Sequence, residues 1–210
     1  MSNNTFKLSA GPDTDIWRKP PSKDIFNAPH TKPETKPLGS FRSATVTIPS
    51  KSYTHQYDQS GLLLTFSRPP SGSSSSSSSQ SPSPEKWIKV GVEYYNSVPR
   101  FSVVACDAWA DWSVAPLAIE PGNEWVTLSV EKEGDSKGLS LWVYQVLDGG
   151  KRKEPVREIC WVFGGGNTLG KGEADEEEWE LSVSAMAARP AQGNIGHLEI
   201  EGKDLIVKWE

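Results

Sequence analysis

The stretch KWIKVGVEYY, residues 86–95, decides the fold class of this sequence. Its apolar side chains recur at every second position, which is the period of an extended strand with one buried face. One face carries Ile88, Val90, Val92 and Tyr94. The other face carries Trp87, Lys89, Gly91, Glu93 and Tyr95. The stretch therefore predicts a β-strand that lays one side on a core and presents a mixed polar and aromatic side outward.

Strand-like segments of this kind recur along the chain, and turn sequences such as LDGG and EGKD separate them. They are residues 41–48, 60–67, 86–95, 100–106, 125–133, 138–147, 156–164, 179–188, 197–201 and 204–209. No long segment has a convincing helical period. The pattern predicts an all-β sandwich of two antiparallel sheets.

The 210 residues fit one large domain, and a segment of different composition precedes it. Residues 1–40 are rich in proline and polar side chains, so we expect a lead-in that packs on the domain through Trp17, Ile25 and Phe26. Residues 41–210 then form the sandwich. Within it, the run at 71–84 has too little apolar surface to offset the cost of ordering, which predicts a disordered serine-rich loop.

Composition argues against several classes of partner. A formal net charge of -5 disfavours nucleic acid, because phosphate binding needs a basic face. No apolar run approaches the ~20 residues needed to cross a bilayer, and the N-terminus does not have the pattern of a signal peptide. We therefore expect no membrane partner and a cytoplasmic location. Cys106 and Cys160 are expected to be free thiols, and the scattered histidines predict no metal site.

The mixed face of residues 86–95 is the first candidate site. Lys89 and Glu93 point the same way with Gly91 between them. A solvated sheet face would carry the same two charges. However, a glycine inside a strand often marks close approach by a ligand or by another backbone, which favours a site here.

A second candidate lies in VREICWVF, residues 156–163, where Arg157 and Trp161 share one side of the predicted strand. An arginine close to a ring can bind a carboxylate or stack on the ring. The alternative is a purely structural ion pair between Arg157 and one of the many carboxylates.

The third candidate is ACDAWADWS, residues 105–113. If the preceding strand continues, Asp107, Trp109 and Asp111 project to one side and Trp112 to the other. Carboxylates beside a ring are compatible with acid–base work, with a sugar cradle, or with a turn in which the aspartates cap backbone N–H groups. We expect Trp112 to lie in the core and Trp109 on the open face.

Several enzyme motifs are absent from the sequence. There is no G-x-S-x-G elbow and no phosphate loop, and GGGNTLGKG matches neither. The E-x-D-x-E spacing of retaining jelly-roll glucanases is missing, and Glu199 with Glu201 has no third partner, so glycoside hydrolysis is weakly supported. We expect no cofactor.

Six stretches together resemble a known family. They are TDIWRKPP, YDQSGLLL, KWIKVGVEYYN, ACDAWADWSVAPL, REICWVFGG and AARPA. The resemblance is to fungal proteins related to yeast regulation of enolase protein, within a domain-of-unknown-function family. It implies a concanavalin-like jelly roll whose concave face usually meets the ligand, and the name of the yeast relative implies carbohydrate metabolism and a protein partner. The resemblance supplies no catalytic residues.

Three functional hypotheses stay open at this point. The favoured one is a non-hydrolytic binding protein for a sugar or similar hydroxylated metabolite, with a site formed by Gln59, Lys89, Glu93, Asp107, Trp109, Arg157 and Trp161. The second is a cofactor-independent cyclase or lyase that uses Glu93 or Asp107 as acid or base and Lys89 or Arg157 as electrostatic stabiliser. The third is a regulator that binds a glycolytic enzyme through an exposed aromatic patch.

Overall fold

The computed structural model describes residues 4–68, 83–164 and 179–210, and these form fourteen β-strands and two short 3-10 helices. The serine-rich loop predicted at 71–84 lies almost entirely outside the described residues. The strands are β1 (Thr5–Ala10), β2 (Ile16–Lys19), β3 (Lys23–Phe26), β4 (Glu34–Pro37), β5 (Phe41–Pro49), β6 (Gln59–Ser67), β7 (Lys86–Tyr95), β8 (Val98–Cys106), β9 (Ala110–Pro116), β10 (Trp125–Asp135), β11 (Gly138–Leu147), β12 (Arg152–Ile159), β13 (Glu180–Ala188) and β14 (Leu198–Trp209). The 3-10 helices are Leu38–Ser40 and Asp148–Gly150.

The strands build two six-stranded antiparallel sheets, which confirms the predicted all-β jelly-roll sandwich. Sheet I has the order β1-β14-β5-β10-β11-β12, and sheet II has the order β4-β13-β6-β7-β8-β9. The main core lies between them. As the alternation predicts, Ile88, Val90 and Val92 of β7 belong to that core.

The N-terminal residues do more than lie over the sandwich. β1 pairs with β14 at the edge of sheet I, and β4 pairs with β13 at the edge of sheet II. The hairpin of β2 and β3 covers part of the outer face of sheet II, where Ile16 is fully buried beside Trp87 and Leu63. Sheet II is therefore buried on both faces over much of its area, which explains the run of apolar side chains Leu62, Leu63 and Leu64 in the middle of β6.

Two glycines bring β6 and β7 unusually close together. Gly61 and Gly91 are register partners, and a Cβ atom on either one would overlap backbone atoms of the opposite strand. A Cβ on Gly91 would overlap the carbonyl oxygen of Ser60. Gly91 therefore marks the close approach of another backbone, which was one of the two interpretations of a glycine at this position in the strand.

The predicted break between residues 201 and 204 was wrong. Residues 197–201 and 204–209 are a single strand, β14, because EGKD forms a bulge at Asp204 (φ 54°) and not a turn. β8 ends at Cys106, and a turn at residues 107–109 leads into β9, so the strand before ACDAWADWS does not continue through it.

Candidate functional site

The outer face of β7 supplies two charged side chains that are almost completely buried. Lys89 and Glu93 are each 5% exposed. They lie on the same face because they are four residues apart on one strand. Burying two ionisable groups is costly unless each has partners, so their contacts define the site.

A cavity of about 300 Å³ opens above these two side chains, at the border of the area covered by β2 and β3. We call it the sheet II cavity. Its floor is formed by Gln59, Lys89, Glu93 and Val104, and the ring of Trp112 forms one wall. Its rim is formed by Asp15, Trp17, Lys23, Tyr57 and Pro190. The volume is at the lower end of the range of small-molecule sites.

Glu93 is held by two donors at the floor of the cavity. Ser102 Oγ donates a hydrogen bond to Glu93 Oε2 at 2.5 Å, and Trp112 Nε1 donates to the same oxygen at 3.0 Å. Burial raises the pKa of Glu93 above its ordinary value, although these donors and the charge of Lys89 act in the opposite direction. Compared with an exposed glutamate, the net effect of these surroundings disfavours the charged form of the Glu93 carboxyl.

Lys89 reaches across the cavity to the N-terminal segment. Its Nζ lies 3.3 Å from Asp15 Oδ1 and 5.6 Å from the centre of the Trp87 ring. The same Asp15 oxygen accepts a hydrogen bond from the backbone N–H of Ile16 at 2.7 Å. The segment that covers sheet II therefore also completes the charge balance of the cavity.

Aromatic rings form one wall of the cavity. Trp112 lies edge-on to Tyr95, with ring centres 5.1 Å apart, and edge-on to Tyr57 at 6.3 Å. Tyr57 has a positive φ of 68° and is partly exposed at the mouth. The wall offers ring surface beside the polar floor, which is the combination that hydroxylated ligands with an apolar face require.

A buried ion pair supports the mouth of the cavity. Arg189 Nε donates to Asp58 Oδ1 at 2.9 Å, and Arg189 Nη2 donates to Asp58 Oδ2 at 2.8 Å. Burial alone would raise the pKa of Asp58, but the hydrogen bonds from Arg189, Thr54 and His55 outweigh it and hold that pKa below its ordinary value. Since Asp58 lies between Tyr57 and Gln59, and Arg189 precedes Pro190, the pair positions three residues that line the cavity.

The structure brings together Gln59, Lys89 and Glu93 of the predicted site, whereas the other four predicted residues lie elsewhere. Asp107, in the turn after β8, pairs with Lys86 at 2.5 Å. Trp109, in the same turn, is 46% exposed. Both side chains lie outside the cavity because β8 ends at Cys106, before either residue.

Arg157 and Trp161 are separated for a similar reason. β12 ends at Ile159, so the alternation that would align their side chains is interrupted between them. Arg157 pairs with Asp111 at 2.5 Å, which joins the edge strands of the two sheets. Trp161 packs edge-on against Phe66 of the main core at 5.7 Å.

Sequence reasoning missed three residues whose contacts define the cavity. Asp15 and Tyr57 come from segments without a strand pattern, and only their position in the fold places them at the cavity. Trp112 was expected in the core. The signal that could have identified it is its place in β9, since Trp112 is the register partner of Val104, whose side chain faces the cavity.

The described parts of the chain contain no group of three His, Cys, Asp or Glu side chains that could hold a metal ion. In the same parts, no helix has the length and apolar composition to cross a bilayer.

The fold and the cavity define a jelly-roll β-sandwich with a partly enclosed polar and aromatic hollow on one outer face. Residues 1–195 match the family described as Protein of unknown function (DUF1349), and the chain belongs to that family. The resemblance identified from the sequence motifs is therefore confirmed at the level of the family.

Three known proteins show similarity to this chain. An uncharacterized protein of Emericella nidulans is 36% identical over 203 residues, which cover 97% of this chain and 86% of the relative. A functionally unknown protein from Saccharomyces cerevisiae has the same fold, with a TM-score of 0.63 and 19% identity over 99% of this chain and 89% of that chain. The κ-carrageenase of Pseudoalteromonas carrageenovora, solved with an oligotetrasaccharide, is more distant, with a TM-score of 0.42 and 12% identity over 98% of this chain and 79% of that chain.

Proposed function

We propose that the protein binds a sugar or a similar small hydroxylated metabolite in the sheet II cavity, without hydrolysing it. One observation carries this proposal. Two nearly buried ionisable side chains, Lys89 and Glu93, converge with the indole of Trp112 in a hollow of small-molecule size. Burying such groups costs stability, and a site that binds a polar ligand gives a reason for them.

In this proposal each wall of the cavity has a separate role. Trp112 and Tyr57 cover an apolar face of the ligand. Glu93 and the amide of Gln59 exchange hydrogen bonds with its hydroxyl groups, and Lys89 donates to an oxygen while it keeps Asp15 as its counter-ion. Because the floor is shielded from water, each of these hydrogen bonds is stronger than it would be on an open surface.

Isothermal titration calorimetry against a panel of monosaccharides, polyols and hydroxy acids tests the proposal. The variants are Glu93→Gln and Trp112→Leu, and the matched control is Trp109→Leu, which removes an exposed indole outside the cavity. We expect a bound compound whose affinity falls about tenfold or more in each cavity variant. The control should bind like the wild type. If no compound binds, or if both cavity variants retain full affinity, the proposal fails.

A second candidate is acid–base catalysis on a small organic substrate, as in a cofactor-independent cyclase or lyase. The raised pKa of Glu93 favours it, because a buried carboxyl with that property can donate and accept a proton nearer neutral pH. Lys89 would stabilise developing negative charge. Mass spectrometry of each bound compound after long incubation separates the two candidates. Turnover that Glu93→Gln abolishes supports catalysis, and unchanged compound supports binding alone.

A further inference from the structure

The outer face of sheet I carries a pair of stacked rings that the sheet II cavity does not use. Trp142 and Tyr144 alternate along β11 with the core residues Leu141 and Val143, so both rings face outward. Their centres are 6.1 Å apart and their planes differ by 19°. Both side chains are partly exposed. The two rings stack on each other, and Lys153 Nζ lies 5.7 Å from the centre of the Tyr144 ring, so the pair presents ring surface together with a cation.

Side chains with hydroxyl groups follow the rings across the sheet, and two of them, Ser129 and Thr47, are nearly buried at 2% and 5% exposed. Tyr144 is the register partner of Ser129, and Ser129 is that of Thr45. In the neighbouring row, Thr127 and Thr47 are partners whose hydroxyls lie 2.9 Å apart. Since neighbouring strands are about 4.8 Å apart, the face from β5 to β12 spans about 14 Å. It is therefore wide enough for a chain of linked units.

Carboxylates flank the first ring on both sides. Trp142 is the register partner of Glu131 on β10 and of Glu158 on β12. Each is oriented by a neighbour: Ser129 Oγ donates to Glu131 Oε1 at 2.8 Å, and Ser140 Oγ donates to Glu158 Oε1 at 2.6 Å. Glu131 also pairs with Lys153, whose Nζ lies 2.6 Å from Glu131 Oε2. Oriented acceptors beside a ring suit a ligand that presents hydroxyl donors around an apolar face. Two carboxylates with one ammonium leave a net negative charge among these three groups, which disfavours a polyanion at the same place.

A cavity of about 400 Å³ begins one register row from the rings. Thr127, Thr47, Val146 and Trp125 line it on the sheet, and Asp148 lines it from the 3-10 helix after β11. Ring surface, hydroxyls and a hollow thus follow one another on one face. An apolar protein partner would need a contiguous apolar patch, whereas the neighbours of these rings are hydroxyls, carboxylates and the ammonium of Lys153.

We infer that the outer face of sheet I binds a neutral oligosaccharide chain, with Trp142 and Tyr144 stacking on its sugar rings, Glu131 and Glu158 accepting from its hydroxyls, and the adjoining cavity holding one end. This site lies on the opposite side of the sandwich from the sheet II cavity. The inference goes beyond the proposed function and stands or falls separately from it.

Titration of the full chain with defined gluco-, manno- and chito-oligosaccharides tests the inference, and a sulfated oligosaccharide serves as the anionic probe. We expect at least one neutral chain to bind more tightly than its monosaccharide. Its affinity should fall about tenfold in Trp142→Ala. Glu158→Gln keeps the shape of the face, and it should weaken binding as well even if Trp142→Ala folds poorly.

Trp109→Ala is the matched control, and Glu93→Gln separates this site from the sheet II cavity. Both should bind the chain like the wild type. The inference is overturned if no neutral chain binds at millimolar concentration, if only the sulfated chain binds, or if Trp142→Ala and Glu158→Gln leave affinity unchanged. Loss of chain binding in Glu93→Gln alone would also overturn it, because it would place the chain in the sheet II cavity.

Discussion

Replacing Arg189 by methionine should destabilise the protein far more than a surface substitution does. The Asp58 and Arg189 side chains are 0% and 4% exposed, and the pair is bidentate. Arg189 also donates to the carbonyl oxygens of Ile195 and Gly196 at 3.3 and 3.2 Å. Methionine keeps much of the volume but leaves the Asp58 carboxylate buried without its cation.

The expected loss in the free energy of unfolding is about 3–5 kcal/mol, which is the usual cost of removing one partner from a buried pair. This is a large share of a total stability of about 5–15 kcal/mol. Urea denaturation followed by tryptophan fluorescence measures the loss, provided that the m-value is unchanged. The pKa of Asp58 is held below its ordinary value of 3.8. The difference in the free energy of unfolding between Arg189→Met and the wild type should therefore be largest at neutral pH. It should become smaller as the pH falls through that lowered pKa.

Two controls make the prediction specific. Arg152→Met removes an exposed arginine that pairs with Asp148 and Glu154, and it should leave the stability nearly unchanged. The double variant Asp58→Leu/Arg189→Met removes both charges and should recover part of the loss. If Arg189→Met stays within about 1 kcal/mol of the wild type with the same m-value, the pair does not support the mouth of the cavity as argued.

Three further predictions concern β7 and its neighbours. Gly91→Ala should prevent folding or lower the melting temperature sharply, because its Cβ would overlap the carbonyl oxygen of Ser60. Gly39→Ala is the control: its Cβ would have no atom within 4 Å, so this variant should melt like the wild type in circular dichroism. The pKa of Glu93 is raised above its ordinary value of 4.5, so its contribution to stability should decline as the pH rises through the interval between these two values. The urea midpoint of the wild type should fall across that interval, and the midpoint of Glu93→Gln should not show this fall. Trp112→Phe removes one donor to Glu93, so the carboxyl ¹³C titration of Glu93 should shift to still higher pH; a shift to lower pH would contradict the hydrogen bond.

The sandwich was predictable because apolar and polar residues alternate along its strands, and this alternation can be recognised in the sequence. In β7 the alternation assigned Ile88, Val90 and Val92 to the core and Lys89 with Glu93 to the outer face, and the structure agrees. β1 carries the same signal, because Phe6, Leu8 and Ala10 all pack on the main core. It was missed because the surrounding proline-rich sequence suggested a lead-in.

The complete site was not predictable, because it depends on where strands end and on contacts between distant segments. The residues Asp107–Ala108–Trp109 contain neither the glycine nor the proline that usually marks a turn. Alternation therefore grouped Trp109 with the site residues, whereas the structure places it in the turn outside the cavity. Asp15 meets Lys89 from a segment more than seventy residues away. Such contacts are set by how the N-terminal hairpin packs on sheet II, and a strand pattern contains no information on that packing.

The most direct test of the central claim is the indole N–H signal of Trp112 in ¹⁵N-correlated NMR, assigned by its loss in Trp112→Phe. The sheet II cavity is proposed to hold a small hydroxylated ligand against that ring. Adding the compound that binds most tightly in calorimetry should shift the Trp112 signal in a saturable way and leave the Trp109 signal in place. A Trp112 signal that does not move while the compound binds would contradict the account.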